Sequence, residues 1–263
     1  MILPNISKEQ KKEIDSKVKL FIGIPHNFDE MKNEFRVCMD RMKAFIGGQW
    51  HLNSQGYDSY VNDNGWVIHY EPAYQIEIAR NNICNLALDN GFTHVLMIDS
   101  DMMFNFDLPY KLLLHDKDCV APLMKVRYPD ENMFFRYAHF SLVDGKSKPC
   151  LFTEAFKGLT EDPTYYSGTG CILLKTEILN KIKYPYFHTE IIYFSKTEVS
   201  TTGEDCYFGM QLVKNGITTC IDTDIIIGHL AVFPVPFEMY YLNSTGLNLN
   251  YRKEELINAS NKT

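Results

Sequence analysis

The stretch HVLMIDSDMMF, residues 94–104, decides the fold class of this chain. A mostly apolar run, 94–98, leads directly into Asp99-Ser100-Asp101, and apolar residues resume at once. Such an unbroken run is typical of a strand covered on both faces, as in a parallel sheet between helices. Two carboxylates this close repel each other unless a cation lies between them. The pair is therefore either a solvated turn or a metal site.

Predicted strands and helices alternate around this stretch, which indicates an α/β fold: a three-layer αβα sandwich with a mixed, mainly parallel central sheet. Before it we predict a strand at 17–25, a helix over 28–48, a loop over 49–65, a strand at 66–70 and a helix over 72–91. After it we predict a strand at 118–128, antiparallel hairpins within 133–156, a strand at 170–175, a helix from 176, a mobile loop over 185–202, a helix over 203–216, and two short strands or one kinked strand within 218–230.

Composition limits the class of protein. At 263 residues the chain can form one large domain or two small ones. A net charge of −7 argues against a generic binder of phosphate backbones, although a local basic groove remains compatible with it. The seven scattered cysteines contain no C-x-x-C pair and indicate buried thiols. With neither a signal-peptide core nor an apolar run of about 18 residues, we expect a soluble, cytoplasmic protein without a transmembrane segment.

A D-x-D triplet alone is weak evidence for a metal, because this chain contains three of them. We interpret Asp116-Lys-Asp118 as a solvated loop before a strand and Asp222-Thr-Asp224 as a β-turn. Only Asp99-Ser-Asp101 follows a strand with no turn residue between, so metal binding and turn capping both stay open for it.

Two further candidate sites lie downstream. Glu204 and Asp205 follow Gly203 at a predicted helix start, where acidic side chains also occur simply as helix caps. His229 ends an apolar run, and a single histidine at a strand end is more often structural than a ligand.

The order of these motifs resembles the GT-A class of nucleotide-sugar glycosyltransferases. The resemblance is clearest across 76–229 and is nearest to family 2-like enzymes and the fungal Anp1-like mannosyltransferases, without assignment to a subfamily. It rests on IARNNICNLALDNGFTHVLMIDSDM, SGTGCILLKTEIL, GEDCYFGMQLVKNG and GHL. It implies a Rossmann-like GT-A fold in a single domain, 1–263. Residues 17–128 would bind the nucleotide sugar, 129–230 the acceptor, and 231–263 would form a C-terminal tail.

The resemblance implies a cation, Mn²⁺ or Mg²⁺, bridging the donor diphosphate. Asp101 matches the usual metal ligand, and His229 matches a C-terminal histidine ligand of many such enzymes. Asp99 would approach the donor ribose or sugar, or reach the metal through water. Oxygen ligands suit either ion, and an added imidazole favours Mn²⁺.

The resemblance also implies catalytic roles. Asp205 matches the carboxylate that acts as general base in inverting members, and Glu204 would orient the acceptor. Retaining members lack this base, so the stereochemical outcome stays open, with inversion favoured.

The other candidates for binding the nucleotide-sugar donor are Pro25, His26, Arg80, Asn81, Ser100, Gly168 and Thr169. For Pro25 and His26 the rival interpretation is a plain strand end, and for Arg80 a solvent-facing helix residue. Small residues at 167–170 would let the backbone approach the sugar or acceptor. Because no acidic residue is recognised at the end of the second strand, the nucleobase is open, with UDP expected before GDP.

Two rival functions remain. A sugar-1-phosphate nucleotidyltransferase shares this fold type, but IGIPHNFDE lacks the Gly-rich, Arg-containing loop expected after the first strand. A non-enzymatic sugar-binding module would not need Glu204 and Asp205 together. The acceptor is open among a glycan, a protein and a modified nucleic-acid base.

Overall fold

The computed structural model describes residues 6–26, 31–52, 58–126, 137–150, 157–193 and 199–230. All of them belong to one compact unit that ends at Leu230. The predicted tail, 231–263, lies outside the described residues, as do parts of the predicted hairpin region.

The described residues form five α-helices, one 3₁₀ helix and fifteen strands. The helices are α1 Lys8–Lys17, α2 Asn33–Ile46, α3 Ile76–Asp89, α4 Leu108–Leu113, the 3₁₀ helix Thr176–Lys181 and α5 Glu204–Lys214. The strands are β1 Leu20–His26, β2 Gln49–Leu52, β3 Asp58–Val61, β4 Val67–Pro72, β5 His94–Ile98, β6 Met102–Met103, β7 Cys119–Met124, β8 His139–Val143, β9 Lys146–Pro149, β10 Leu159–Thr160, β11 Tyr165–Ser167, β12 Cys171–Lys175, β13 Glu190–Tyr193, β14 Val199–Thr202 and β15 Cys220–His229.

A ten-stranded mixed sheet forms the centre of the fold. Its order is β10-β15-β7-β12-β5-β1-β4-β3-β2, with β6 paired to β15 off this path. The pairs β1–β4, β1–β5 and β7–β15 are parallel, whereas β12 runs antiparallel to both β5 and β7. A smaller sheet, β11-β8-β9, precedes β12 in the chain. The prediction of a mixed α/β sheet is confirmed, and its form is compatible with a Rossmann-like fold.

Helices cover both faces of the sheet, as the three-layer prediction requires. On one face Phe35 and Met39 of α2 belong to the same buried cluster as Ile22 of β1. On the other face Ile83 of α3 belongs to a second cluster with Phe208 of α5. The α3 helix lies so close to β1 that a Cβ on Gly23 would be 2.3 Å from Ile83 Cγ2. Glycine at 23 is therefore needed for this packing.

The prediction of a loop over 49–65 is wrong at 49–52 and 58–61, which form strands. Strands β2 and β3 pair antiparallel there and extend the sheet beyond β4. The aromatic rings of Trp50 and Tyr60 pack edge to face with centroids 5.6 Å apart, and the Tyr60 hydroxyl donates to the Gly48 carbonyl at 3.0 Å. Aromatic cross-strand pairs stabilise a sheet, which outweighed the turn residues around them.

Three other boundaries differ from prediction. The segment 185–202 contains the antiparallel pair β13–β14 instead of only a loop. Pro72 ends strand β4 instead of starting the next helix. The helix from Thr176 is a 3₁₀ helix. The kinked-strand alternative for 218–230 is confirmed, because β15 is one strand whose register shifts between Asp222 and Ile226.

Two composition-based expectations also have structural counterparts. All seven cysteines are free thiols, and five of them are buried. In the part of the chain that the structure describes, every helix is too short or too polar to span a lipid bilayer.

Candidate functional site

The centre of the sheet contains a point where the strand order reverses. Strand β1 pairs with β4 on one side and with β5 on the other, both parallel to it. In open α/β sheets, ligands bind in the crevice beyond the carboxyl ends of strands at such a point. Pro25 and His26 end β1, and Asp99 follows directly after β5. The D-x-D triplet therefore lies where this fold class binds ligands.

Backbone hydrogen bonds fix the D-x-D turn between two other strands. The Asp99 N–H donates to the Gly170 carbonyl at 2.8 Å, just before β12 begins. The Leu230 N–H donates to the Asp101 carbonyl at 2.7 Å, just after β15 ends. Ser100 lies in the turn between the two carboxylates and is half-buried. The geometry of the triplet thus depends on the chain ends of β12 and β15.

Arg80 of α3 joins the D-x-D turn to helix α5. Its Nη2 lies 2.8 Å and 2.9 Å from the two carboxylate oxygens of Asp99, and its Nη1 donates to Glu204 Oε1. The Arg80 side chain is only 4% exposed. Burial opposes its charge, but Asp99 and Glu204 outweigh burial and raise the pKa of Arg80 above its usual value. The rival interpretation of Arg80 as a solvent-facing residue is wrong.

Glu204 and Asp205 begin α5 but have different surroundings. Burial raises the pKa of Glu204, and the neighbouring Arg80 only partly offsets this effect. Asp205 Oδ1 accepts a hydrogen bond from the Cys206 N–H at 2.7 Å. Asp205 Oδ2 lies 3.4 Å from the position that a Cβ on Gly168 would take. Glu204 is thus held by the arginine, whereas Asp205 faces the backbone of the glycine loop.

The loop 168–170 is closely packed, and at Gly170 it leaves no room for a side chain. A Cβ on Gly170 would lie 2.2 Å from Met102 Cε and 3.5 Å from Asp99 Oδ2. Thr169 between them is fully buried, and its Oγ1 has no hydrogen-bond partner among the residues described. The loop therefore lies between the D-x-D turn and Asp205, and the predicted donor-binding role of Gly168 and Thr169 stays a prediction.

His229 and Asp101 lie side by side. Backbone pairing of His229 with Met102 brings the imidazole Nε2 within 3.3 Å of Asp101 Oδ2. His229 Nδ1 lies 3.3 Å from the Lys125 carbonyl oxygen. A hydrogen bond from Nδ1–H to this carbonyl would leave Nε2 as the ligand atom.

One carboxylate and one imidazole are a donor set that fits Mn²⁺, which usually completes its shell with phosphate and water oxygens. No group of three or more His, Cys, Asp or Glu side chains within the described ranges is placed to hold a metal by itself. Since both oxygens of Asp99 are near Arg80, the Asp101–His229 pair is the better candidate for holding a cation.

Asn81 is not part of this cluster. Its side-chain amide donates to the carbonyls of Glu77 and Phe187, and its Oδ1 accepts from the N–H groups of Tyr186 and Phe187. The buried amide therefore attaches the segment before β13 to α3. Burial also lowers the pKa of His26 at the end of β1.

Sequence reasoning missed one acidic residue. Strand β4 is the second parallel strand, and Glu71 near its carboxyl end is in register with Pro25 of β1. Its Oε2 lies 2.7 Å from His69 Nε2, and its Oε1 accepts from Asn82 Nδ2 at 2.8 Å. The signal was present in VIHYEP, but assigning Pro72 to the following helix ended the predicted strand at Tyr70, two residues too early.

Comparisons with known proteins add little to this geometry. No protein-family model and no curated protein matches the chain. A matching solved structure, "Crystal Structure of A197 from STIV", has 16% sequence identity and a TM-score of 0.46, and the match covers 81% of this chain and 85% of that one. A similarity this distant carries no functional argument, so the function is argued from the residues.

Proposed function

We propose that this chain is a metal-dependent glycosyltransferase of the GT-A type, which moves a sugar from a nucleoside-diphosphate sugar to an acceptor hydroxyl. One observation carries the proposal: motifs far apart in the sequence meet at the reversal point of the sheet. Arg80 contacts both Asp99 and Glu204, which is 124 positions farther along the chain. Asp101 meets His229 in the same region. Helix capping or turn formation alone would not require these contacts.

Asp101 and His229 are the residues that would hold Mn²⁺ or Mg²⁺. When bound, the ion supplies positive charge that stabilises the leaving nucleoside diphosphate. The pair leaves coordination positions for phosphate oxygens, which Mg²⁺ and Mn²⁺ sites of this kind use. We keep UDP-sugar as the first donor class and GDP-sugar as the second.

Asp205 is our candidate for the general base, and Glu204 for a positioning residue. The Glu204 carboxylate is occupied by Arg80, whereas Asp205 Oδ2 points to the backbone at Gly168, where an acceptor hydroxyl can approach. A carboxylate at this place can accept the proton of an acceptor hydroxyl. Inversion of the anomeric centre follows from a base in this role.

Release of nucleoside diphosphate tests the proposal. The purified protein is incubated with UDP-glucose, UDP-N-acetylglucosamine, UDP-galactose or GDP-mannose, with Mn²⁺ or with EDTA, and water serves as the acceptor. We expect Mn²⁺-dependent release from one donor class, a loss of about 10²–10⁴-fold in Asp205→Asn, and loss of release in Asp101→Asn.

Asp116→Asn is the matched control, because Asp116 belongs to another D-x-D triplet and its side chain is 86% exposed. It should retain full activity. Release that is unaffected by EDTA and by both site variants would overturn the proposal.

A further inference from the structure

A cavity lies along α3, on the side of this helix that faces away from Arg80. It has a volume of about 560 Å³, within the range of small-molecule sites, and lies between α3 and strands β3 and β4. Asn82, Asn85, Leu86 and Asp89 line it and recur at helical spacing. At about 100° per residue, Arg80 points some 160° away from Asn82. This α3 groove is therefore separate from the cluster around Asp99.

The polar groups of the α3 groove are carboxylates, amides, a hydroxyl and the imidazole of His69. Asn82, Asn85 and Asn90 supply amides, and Glu71 and Asp89 supply carboxylates. Of the described residues that line the groove, none is a lysine or an arginine. A phosphate or nucleotide would meet two carboxylates here with no lysine or arginine to offset them, and His69 is already paired with Glu71, so the groove does not favour an anion.

One carboxylate in the α3 groove is held in place before any ligand arrives. Glu71 lies against His69 Nε2 at 2.7 Å and accepts from Asn82 at 2.8 Å. Its side chain is 14% exposed and that of His69 is 8% exposed. Burial alone would raise the pKa of Glu71, but the hydrogen bonds from His69 and Asn82 outweigh it and hold the pKa below its usual value. The group is thus a fixed, ionised acceptor for hydroxyl donors.

The groove also has apolar surface beside its polar groups. Phe21 and Phe92 line it with ring centroids 5.1 Å apart, and the Phe21 ring lies 5.7 Å from that of His69. Aromatic rings next to amide and carboxylate side chains suit a ligand that has an apolar face and a hydroxylated edge.

We propose that the α3 groove is a binding site for a neutral carbohydrate. Side-chain amides both donate and accept hydrogen bonds, as sugar hydroxyls do. A cation needs only acceptors, so it would leave the amide N–H groups of the groove unused. The C–H face of a sugar ring packs on the half-buried Phe92, because Phe21 is only 5% exposed, while the sugar hydroxyls reach Glu71 and Asn82. One end of the groove, at Glu71 and Pro72, adjoins Pro25 and His26 of β1. The inference nevertheless does not depend on the glycosyltransferase proposal, because its test uses neither nucleotide nor metal.

The test is an NMR titration of the ¹⁵N-labelled protein without nucleotide or metal. The probes are maltotriose, mannotriose and N,N′,N″-triacetylchitotriose, and the side-chain amide signals of Asn82 and Asn85 are followed. We expect saturable shifts of both signals with at least one trisaccharide at millimolar concentration. Asn85→Lys, which fills the groove, should weaken that binding at least tenfold.

Ile78→Lys is the matched control, because it places the same residue on an exposed position of α3 outside the groove. It should bind like the wild type. Asn85→Ala should weaken binding severalfold. Because alanine adds no bulk, this variant tests the groove even if Asn85→Lys does not fold. The inference is overturned if no trisaccharide shifts the groove signals, if both lysine variants bind equally, or if spermine or UDP shifts these signals instead.

Discussion

Replacing Arg80 with methionine removes the guanidinium that holds Asp99 and Glu204 together. Methionine retains much of the length and apolar volume of arginine, so the change tests charge more than packing. The Arg80 side chain is 4% exposed, and those of Asp99 and Glu204 are 21% and 18% exposed. The variant therefore leaves two carboxylates near each other with little hydration and no partner from Arg80.

Breaking a fully buried ion pair by removing one partner costs about 3–5 kcal/mol. Because both carboxylates keep about a fifth of their exposure, we expect a smaller loss, about 2–3 kcal/mol at pH 8. The loss should depend on pH. Burial already raises the pKa of Glu204, and Arg80 is the main opposing charge. Without Arg80 the pKa of Glu204 rises further in the folded state.

The sign follows from proton linkage. In Arg80→Met the folded protein binds more protons than the unfolded chain once the pH exceeds about 4, where an unfolded glutamate ionises. Stability relative to the wild type therefore falls as the pH rises, and the deficit at pH 8 should exceed the deficit at pH 5. Urea unfolding at the two pH values measures both.

Arg36→Met is the control, since Arg36 is exposed on α2 and should change stability by less than about 0.5 kcal/mol. A deficit in Arg80→Met that matches the control, or one that is equal at both pH values, would refute the electrostatic role of Arg80.

Three further predictions concern the surroundings of the site. Gly209→Ala should cost about 1–3 kcal/mol in urea unfolding, because the new Cβ would lie 2.2 Å from the Tyr166 ring, and a change below that range would mean that α5 shifts freely. Asn81→Leu should lose about 2–4 kcal/mol, because the buried amide bonds four backbone groups; an unchanged melting temperature would contradict this. Asp222→Asn should be less stable than the wild type at pH 7, and the difference should shrink below about pH 4. The reason is that the hydrogen bond from His115 and those from backbone N–H groups outweigh burial and lower the pKa of Asp222. Melting curves from pH 3 to 7 check this, and a constant difference would refute it.

The sequence was most informative where its periodicity was strong. The helix around Arg80 was predicted from its amphipathic spacing, and the strand at 94–98 from its unbroken run of mostly apolar residues. The hairpin of β2 and β3 was missed because its strands have four residues each and are surrounded by turn residues. Its pairing depends on ring contacts between residues that only the fold brings together, such as Trp50 and Tyr60.

At the candidate site, too, the sequence predicted some features and not others. Motif order predicted that Asp99, Asp101, Glu204, Asp205 and His229 belong together. It could not predict partners, because an ion pair across 124 positions leaves no trace in local spacing. The sequence therefore could not distinguish a buried Arg80 from an exposed one.

Asn81 shows a second limit of prediction from sequence, because it was predicted as a site residue and lies outside the cluster. Its neighbour Arg80 points into the cluster, whereas the Asn81 amide is used by the backbone of the segment before β13. Adjacent residues on a helix face directions about 100° apart, so a pair that is adjacent in sequence need not act together.

Calorimetric binding of UDP and of GDP, each with and without Mn²⁺, tests the central claim most directly. The account predicts that one nucleotide binds, that Mn²⁺ strengthens its binding, and that Asp101→Ala and His229→Ala each abolish the strengthening while Asp116→Asn does not. If neither nucleotide binds the folded protein with Mn²⁺ present, the Asp101–His229 pair is not a metal–diphosphate site and the glycosyltransferase proposal fails.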